Sequence, residues 1–297
     1  MKAKDLEISH PDKVLFPESG LSKQDVADYY GKIGDHILPG LRRRPLTFKV
    51  YPGGIAEDGF FNKNAPGHFP DFIERIEVPT RSKEAATTLM ATARQTDDLV
   101  YFAGQNIIEI HAGLSTSDDL EKPDQVIFDL DPSDDAFEKV RDLALGFGEM
   151  LESIELSSFL KTTGSRGLHI HIPLQAEAPF AEVKSHAKFL SEKLVERFPK
   201  LATLETRKNK RGDKVFVDYL RNEFGQTAIA PFSLRARESA PVATPLRWDE
   251  LSAQKLSPQE YNIKNIFRRL SKIKNPWGDF NRSRVTPGSL AKKLGAL

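Results

Sequence analysis

The feature of this sequence that most constrains its fold is an apolar segment carrying two aspartates, Asp129 and Asp131. Residues 125 to 131 alternate in the manner of a β-strand, and Pro132 ends the pattern because proline has no N–H for a sheet. Side chains two apart on a strand point to the same face. The two carboxylates therefore project together, and their repulsion requires cations nearby.

A third aspartate, Asp218, lies inside another apolar segment at residues 215 to 219. Burying an unpaired carboxylate is costly, so this acid also requires a cation. Carboxylate oxygens favour Mg²⁺ or Mn²⁺, and three aspartates on neighbouring strands could hold two ions roughly 3.5 to 4 Å apart. An Asp-x-Asp pair alone has low specificity, and carboxylates that cap a turn or form salt bridges are the alternative for Asp129 and Asp131.

A loop at residues 162 to 167 precedes a second strand pattern at residues 168 to 174. The loop offers two glycines, hydroxyl groups and the guanidinium of Arg166, which suits a triphosphate. Alternation in the strand places His169 and His171 on the face opposite the aliphatic residues. Such a His-x-His strand is compatible with a metal site or with a polar outer face, and the nearby aspartates favour the triphosphate.

Strand and helix patterns alternate along the chain, which is typical of α/β proteins. Ser22 and Asp25 have the spacing of a helix N-terminus, and residues 136 to 152 and 180 to 197 have helical patterns. The sequence predicts an α/β (α+β) fold with a mixed, largely antiparallel sheet flanked by helices. Pro, Gly, Ser and basic residues after Asn275 predict a flexible tail or linker at 276–297.

Composition excludes several classes of protein. The chain has 297 residues and no cysteine, which excludes disulfides and thiolate chemistry. Neither a signal peptide nor a membrane span is evident, so we expect a cytoplasmic protein. The net charge of +1 does not exclude a nucleic-acid partner, because local charge decides binding and basic clusters occur at residues 42–44 and 207–214.

Six ordered segments resemble the polymerase domain of bacterial DNA ligase D, a member of the archaeo-eukaryotic primase superfamily. They are residues 12–17, 59–63, 126–132, 164–169, 215–219 and 226–237. The resemblance runs from about residue 5 to about residue 250. It implies a primase-type catalytic core with an N-terminal subdomain packed against it. The polymerase module would cover 1–275, with a DNA-end-binding subdomain at about 1–105 and a catalytic subdomain at about 106–275.

The resemblance also implies residue roles. Catalytic metal ligands for two divalent ions, Mn²⁺ or Mg²⁺, would be Asp129, Asp131 and Asp218. Nucleotide-binding residues would be Thr163, Ser165, Arg166 and His169, with Lys49, Arg211 and Arg235 on the triphosphate and His111 beside the primer terminus. DNA-binding residues would be Lys13 and Lys23, on a 5′-phosphate, and Phe60 and Phe61, on the template. The family usually has serine at Thr163.

Some of these roles have independent support in the sequence. Lys23 lies at the predicted helix start, where free N–H groups and the helix dipole favour an anion. Phe60 and Phe61 are adjacent, so on an extended segment at least one ring projects outward and can stack on a base. Packing of the two rings into different sides of a thick core is the alternative.

The implied function is a template-dependent DNA/RNA polymerase, a primase-like nucleotidyltransferase. It would fill gaps and extend primers at double-strand breaks in non-homologous end joining, favouring ribonucleotides, by two-metal catalysis. Expected partners are gapped or broken DNA with a 5′-phosphate, NTPs or dNTPs, the end-binding protein Ku and a DNA ligase, with association with the nucleoid. Two alternatives remain: a metal-dependent phosphoesterase or nuclease, and a non-catalytic module that bridges DNA ends.

Overall fold

The computed structural model describes residues 7–80, 86–252 and 256–297. The strands are β1 Val14–Phe16, β2 Leu21–Ser22, β3 Leu46–Val50, β4 Phe60–Asn62, β5 Arg75–Pro79, β6 Thr87–Ala91, β7 Ile107–Gly113, β8 Gln125–Pro132, β9 Phe159–Thr162, β10 Leu168–Pro173, β11 Ala202–Thr203, β12 Val215–Asp218, β13 Thr227–Ile229 and β14 Pro245–Leu246. The helices are α1 Lys23–Ile37, α2 Thr96–Gly104, α3 Phe137–Ser153, α4 Phe180–Arg197, α5 Trp248–Leu251, α6 Ile266–Leu270 and α7 Pro287–Leu294.

The chain forms two compact units, and each is assembled from separate stretches of sequence. The first comprises Met1–Leu120, Thr227–Ala243 and Tyr261–Phe267, and the second comprises Glu121–Gln226, Thr244–Glu260 and Arg268–Leu297. These limits differ from the contiguous subdomains expected at about 1–105 and 106–275. Strand pairing explains the difference, because β13 joins β7 and so returns a late segment to the first unit.

The first unit contains a four-stranded antiparallel sheet in the order β13-β7-β3-β4, with two small hairpin sheets. Helix α1 begins as the sequence predicts: the Ser22 side chain accepts from the N–H of Asp25, and the Asp25 carboxylate accepts from the N–H of Ser22. The helix buries an apolar face that includes Tyr29 and Tyr30. Both hydroxyls donate to backbone carbonyls at 2.7 Å, so the rings are buried without losing their hydrogen bonds.

The second unit is built on a six-stranded sheet in the order β11-β12-β8-β10-β9-β14. Only the β11–β12 pairing within this sheet is parallel, so the prediction of a mixed, largely antiparallel sheet is confirmed. Helix α3 covers one face, where Phe147 packs edge-on against Phe128 with ring centroids 4.8 Å apart. Alternation along β8 directs its aspartates to the opposite face.

The segment 276–297 corrects the expectation of a flexible tail. Val285 exchanges backbone hydrogen bonds with Pro173 and Gln175, and helix α7 follows with Leu290 fully buried. Two of the residues whose types suggested disorder instead begin a helix. Thr286 is the N-cap of α7, and Pro287 is its first residue. No helix in the described part of the chain is long and apolar enough to cross a membrane.

Candidate active site and nucleic-acid interface

Four strands of the second unit place four polar side chains in one transverse row. In the strand register, Asp129 of β8 lies opposite Asp218 of β12 on one side and His169 of β10 on the other, and His169 lies opposite Lys161 of β9. Asp131 lies two residues further along β8, on the same face. Strand alternation predicted the common face of Asp129 and Asp131, and the strand register adds Asp218 and His169 to that face.

Asp129 is the most strongly compensated acid in this row. Its Oδ1 lies 3.4 Å from Nε2 of His169, and its Oδ2 lies 3.4 Å from Nη2 of Arg221. Burial would raise the pKa of Asp129, but His169, Arg221 and Lys161 hold it well below the usual range. Burial and the nearby Lys161 charge lower the pKa of His169 to about 4, despite the opposing effect of Asp129. At neutral pH the row therefore contains an ionised Asp129 beside a neutral His169.

Asp131 and Asp218 are less well compensated than Asp129. Burial, and then repulsion from Asp129, raise the pKa of both Asp131 and Asp218. Arg166 Nη2 lies 3.3 Å from one Asp131 oxygen, and Arg221 Nε lies 3.4 Å from Oδ2 of Asp218. Asp218 also accepts the N–H of Leu220 at 2.9 Å. A divalent cation would relieve the repulsion among the three carboxylates.

The chemistry of the donor set fits Mg²⁺ or Mn²⁺, because the three aspartates offer only carboxylate oxygens on adjacent strands. Across the residues that the structure describes, no three His, Cys, Asp or Glu side chains converge closely enough to form a metal site as they stand. In this arrangement Arg166 lies against Asp131, while Arg221 spans Asp129 and Asp218.

The loop between β9 and β10 is closed by the Thr163 hydroxyl. This hydroxyl donates to the Gly167 carbonyl at 3.1 Å and accepts from the N–H groups of Ser165 and Gly167. Gly164 has φ +66°, a left-handed conformation that favours glycine, and a Cβ at Gly167 would lie 2.2 Å from the Leu130 carbonyl oxygen. Thr163 therefore shapes the loop, which presents Arg166 toward Asp131.

Arg211 is fixed beside the same row by an aromatic ring and two carbonyls. Its guanidinium carbon lies 3.8 Å from the centroid of the Phe216 ring, and Phe216 is opposite Asp131 in the β8–β12 register. Its nitrogens donate to the carbonyls of Glu205 and Thr206 at 2.8 and 2.7 Å. The positive charge of Arg211 therefore partly offsets the rise in the pKa of Asp131 that burial and Asp129 cause.

A separate cluster in the first unit gathers Lys49, His111 and Arg235 around Glu109. Lys49 lies opposite Glu109 in the β3–β7 register, His111 Nε2 lies 3.1 Å from Glu109 Oε2, and Arg235 Nε lies 3.2 Å from Oε1. Burial would raise the pKa of Glu109, but the His111 hydrogen bond and the Arg235 charge lower it to about 2. The buried Glu109 therefore orders His111 and Arg235, two of the side chains that the sequence analysis assigned to the nucleotide.

The aromatic pair lies beside this cluster on the edge strand β4. Phe60 is 52% exposed and Phe61 is 61% exposed. Lys49 Nζ lies 5.5 Å from the Phe61 ring centroid, and the His111 ring packs edge-on against Phe61 at 5.4 Å. Both rings are outside the core, which leaves their faces accessible for stacking.

Lys13 and Lys23 share a cavity of about 550 Å³ in the first unit. Lys23 Nζ donates to the Ser9 carbonyl at 2.8 Å, and Lys13 Nζ donates to the Pro52 carbonyl. Burial and the Lys13 charge lower the pKa of Lys23. Two adjacent cations at the start of α1 favour an anion in this cavity, which Asp12 also lines.

The predicted site residues thus fall into groups within each unit. The second unit brings together Asp129, Asp131, Asp218, Thr163, Ser165, Arg166, His169 and Arg211, and the first holds Lys49, His111, Arg235, Phe60 and Phe61 in one cluster and Lys13 and Lys23 in another. Sequence reasoning missed Glu109, Lys161 and Arg221. Glu109 was detectable, because it precedes His111 by two residues on the same strand face; Lys161 and Arg221 depend on strand pairing.

The chain matches a known protein family over most of its length. The family described as LigD, primase-polymerase domain, matches residues 22–277. The multifunctional non-homologous end joining protein LigD of Mycolicibacterium smegmatis is 32% identical over 84% of this chain and 33% of its own length. The bifunctional non-homologous end joining protein LigD of Bacillus subtilis is 30% identical over 94% of this chain and 44% of its own length.

A solved structure shares the fold. The polymerase domain from Mycobacterium tuberculosis ligase D, in complex with DNA, matches with a TM-score of 0.86 at 28% identity, covering 94% of this chain and 99% of that chain. The chain spans less than half the length of the LigD relatives described above. On the family match and the shared architecture together, this chain belongs to the LigD primase-polymerase domain family.

Proposed function

We propose that this chain is a template-dependent nucleotidyltransferase that fills gaps and extends primers at DNA double-strand breaks during non-homologous end joining. The observation that carries the proposal is the row of Asp218, Asp129 and His169 across three adjacent strands, with Asp131 on the same face. Family membership supports the same activity. Three carboxylates on neighbouring strands, beside a loop that carries a guanidinium, match the needs of nucleotidyl transfer.

Asp129, Asp131 and Asp218 would hold two divalent ions, Mn²⁺ or Mg²⁺. When bound, such ions supply activation of the attacking 3′-hydroxyl and charge stabilisation of the leaving pyrophosphate. Arg166 would turn from Asp131 to the triphosphate, for which a guanidinium offers two parallel donors. Neutral His169, through Nε2, would hold Asp129 in place, while its buried Nδ1 has no hydrogen-bond partner among the described residues and can accept one from the nucleotide.

In the first unit, Lys49, Arg235 and His111 would contact the nucleotide, with Glu109 holding the latter two in position. Lys13 and Lys23 would bind the 5′-phosphate at the downstream side of a gap, and Phe60 and Phe61 would stack on the template. The DNA in the related solved structure supports a DNA partner. Ku and a DNA ligase are the proposed protein partners, and ribonucleotides the preferred substrates.

Extension of a labelled primer across a short gap with a 5′-phosphate tests this function. NTPs and dNTPs are compared in Mn²⁺ and in Mg²⁺, for the native protein, for Asp129→Asn, and for Asp142→Asn as a control at an exposed acid on α3. We expect template-matched addition by the native protein and the control and none by Asp129→Asn.

Other results would contradict the proposal in distinguishable ways. Shortening of the primer would indicate the nuclease alternative, whereas gap binding without extension in either metal would indicate an end-bridging module. Equal or better use of dNTPs would refute the ribonucleotide preference alone, and leave the polymerase activity standing.

A further inference from the structure

Arg221 contacts two of the three candidate metal ligands, although the proposed chemistry gives it no part. Its Nη2 lies 3.4 Å from Oδ2 of Asp129, and its Nε lies 3.4 Å from Oδ2 of Asp218. Because Asp129 and Asp218 are direct cross-strand partners, one guanidinium spans the pair. The arginine therefore neutralises the same two charges that a divalent ion would neutralise.

The position of Arg221 is set by a well-anchored turn. Residues 220–222 form a short 3₁₀ turn directly after β12. The fully buried side chain of Asn222 accepts the Ile127 N–H at 2.8 Å and donates to the Ile127 carbonyl at 2.7 Å. The turn is thereby fastened to β8, the strand that bears Asp129, so the backbone of Arg221 is held beside the acids.

The side chain of Arg221 is held less firmly than its backbone. Strong charge-assisted hydrogen bonds between nitrogen and oxygen measure about 2.7 to 2.9 Å. Both Arg221 contacts are longer, at 3.4 Å. Arg269, by contrast, makes short contacts: its Nη2 lies 2.9 Å from both carboxylate oxygens of Glu250 and from the Pro245 carbonyl oxygen. Arg221 thus supplies charge without a locked geometry.

We infer that Arg221 is a built-in counter-ion that competes with divalent metal for Asp129 and Asp218. It stabilises the acids in the metal-free protein and withdraws when a divalent ion binds them, so it lowers metal affinity. This inference rests on the proposed metal site. Its functional consequence is a site that remains folded without metal and that loads metal only at concentrations high enough to displace the arginine.

Direct measurement of Mn²⁺ binding tests the competition without any assay of activity. Free Mn²⁺ is followed by its electron paramagnetic resonance signal as metal is added to the native protein, Arg221→Gln, Arg221→Lys and a control, Arg282→Gln, at an exposed arginine of the same unit. We expect Arg221→Gln to bind Mn²⁺ roughly 5- to 10-fold more tightly, as competition between two cations for one pair of ligands predicts. Arg221→Lys, which keeps the charge, should stay closer to the native protein, as should Arg282→Gln.

Thermal unfolding in EDTA provides the second readout. Arg221→Gln should unfold at a lower temperature than the native protein without metal, because two partly buried carboxylates lose their shared partner. Saturating Mn²⁺ should narrow that difference. Unchanged or weaker Mn²⁺ binding by Arg221→Gln would overturn the inference, whereas absence of Mn²⁺ binding by the native protein would instead refute the proposed metal site.

Discussion

The hydroxyl of Thr163 and the backbone of Gly167 are hydrogen-bonded in both directions, with Oγ1 donating to the carbonyl at 3.1 Å and accepting from the N–H at 3.2 Å. One side chain thus closes the loop that carries Ser165 and Arg166. A serine, which the sequence resemblance implies at this position, would offer the same hydroxyl, so the threonine preserves the loop while adding a methyl group.

Thr163 therefore gives a prediction about nucleotide binding. Thr163→Val removes the hydroxyl at nearly constant volume and leaves the Gly167 and Ser165 N–H groups without their acceptor, whereas Thr163→Ser keeps it. With each hydrogen bond contributing about 0.5 to 1.5 kcal/mol, Thr163→Val should raise the nucleotide KM at least about fivefold. Steady-state kinetics on a gapped primer would check this, and equal KM values for the two variants would contradict a loop-closing role.

The low pKa of Glu109, about 2, predicts a specific acid dependence of stability. A carboxyl with a depressed folded pKa stabilises the protein above its ordinary value of 4.5, and that contribution is lost as pH falls toward 2. Glu109→Gln should lower the free energy of unfolding by on the order of 3 kcal/mol at pH 7, with the difference shrinking below pH 4. Urea unfolding from pH 3 to 7 measures it. Glu18→Gln, at an exposed acid, is the control, and a difference independent of pH would count against the assignment.

Lys13 predicts a selective loss of affinity for one class of DNA. Lys13→Ala should weaken binding to gaps with a 5′-phosphate by about tenfold and leave gaps with a 5′-hydroxyl nearly unchanged, since one phosphate contact is removed. Fluorescence anisotropy at two salt concentrations measures both. Lys32→Ala, at an exposed position on α1, should affect neither substrate. Equal losses on both substrates would refute a dedicated phosphate pocket.

Trp277 predicts that the C-terminal segment is needed for a stable second unit. Its indole N–H donates to the Leu160 carbonyl at 3.0 Å, and its ring lies 4.6 Å from that of His171, which is 5.8 Å from the ring of His169. Removal of residues 276–297 should lower the melting temperature by more than about 4 °C, and Trp277→Ala should do so in part. Trp277→Phe is the milder comparison. An unchanged melting temperature after truncation would contradict this prediction and support a flexible tail at 276–297.

Local patterns predicted the features that depend on neighbouring residues. Alternation placed Asp129 and Asp131 on one face, and the Ser22 and Asp25 spacing located the start of α1, because both follow from backbone geometry within a few residues. Long-range pairing was not predictable in this way. The partnership of Asp129 with Asp218 and Lys161 across the sheet, and the bridge made by Arg221, exist only once distant strands align.

The tail shows a second limit of sequence patterns. Its polar and proline-rich composition predicted disorder, yet Thr286 and Pro287 have the features of a helix start and Leu290 supplies the buried contact. Composition averages over residues, whereas a short helix depends on a few positions. The role of Glu109 was not predictable from its own strand alone, because it depends on Arg235, which lies far away in the sequence.

The proposed chemistry depends on the exact alignment of the strands that carry the transverse row. Asp129 faces Asp218 and His169 only in the observed alignment, and a shift of one residue between β8 and either neighbour would put a side chain of the opposite face in that place. A slip against β12 would separate Asp129 from Asp218, and a slip against β10 would separate it from His169. Correct alignment of β8 with both of its neighbours is therefore a precondition for the proposed site, because each neighbouring strand supplies one side chain that no other strand can replace.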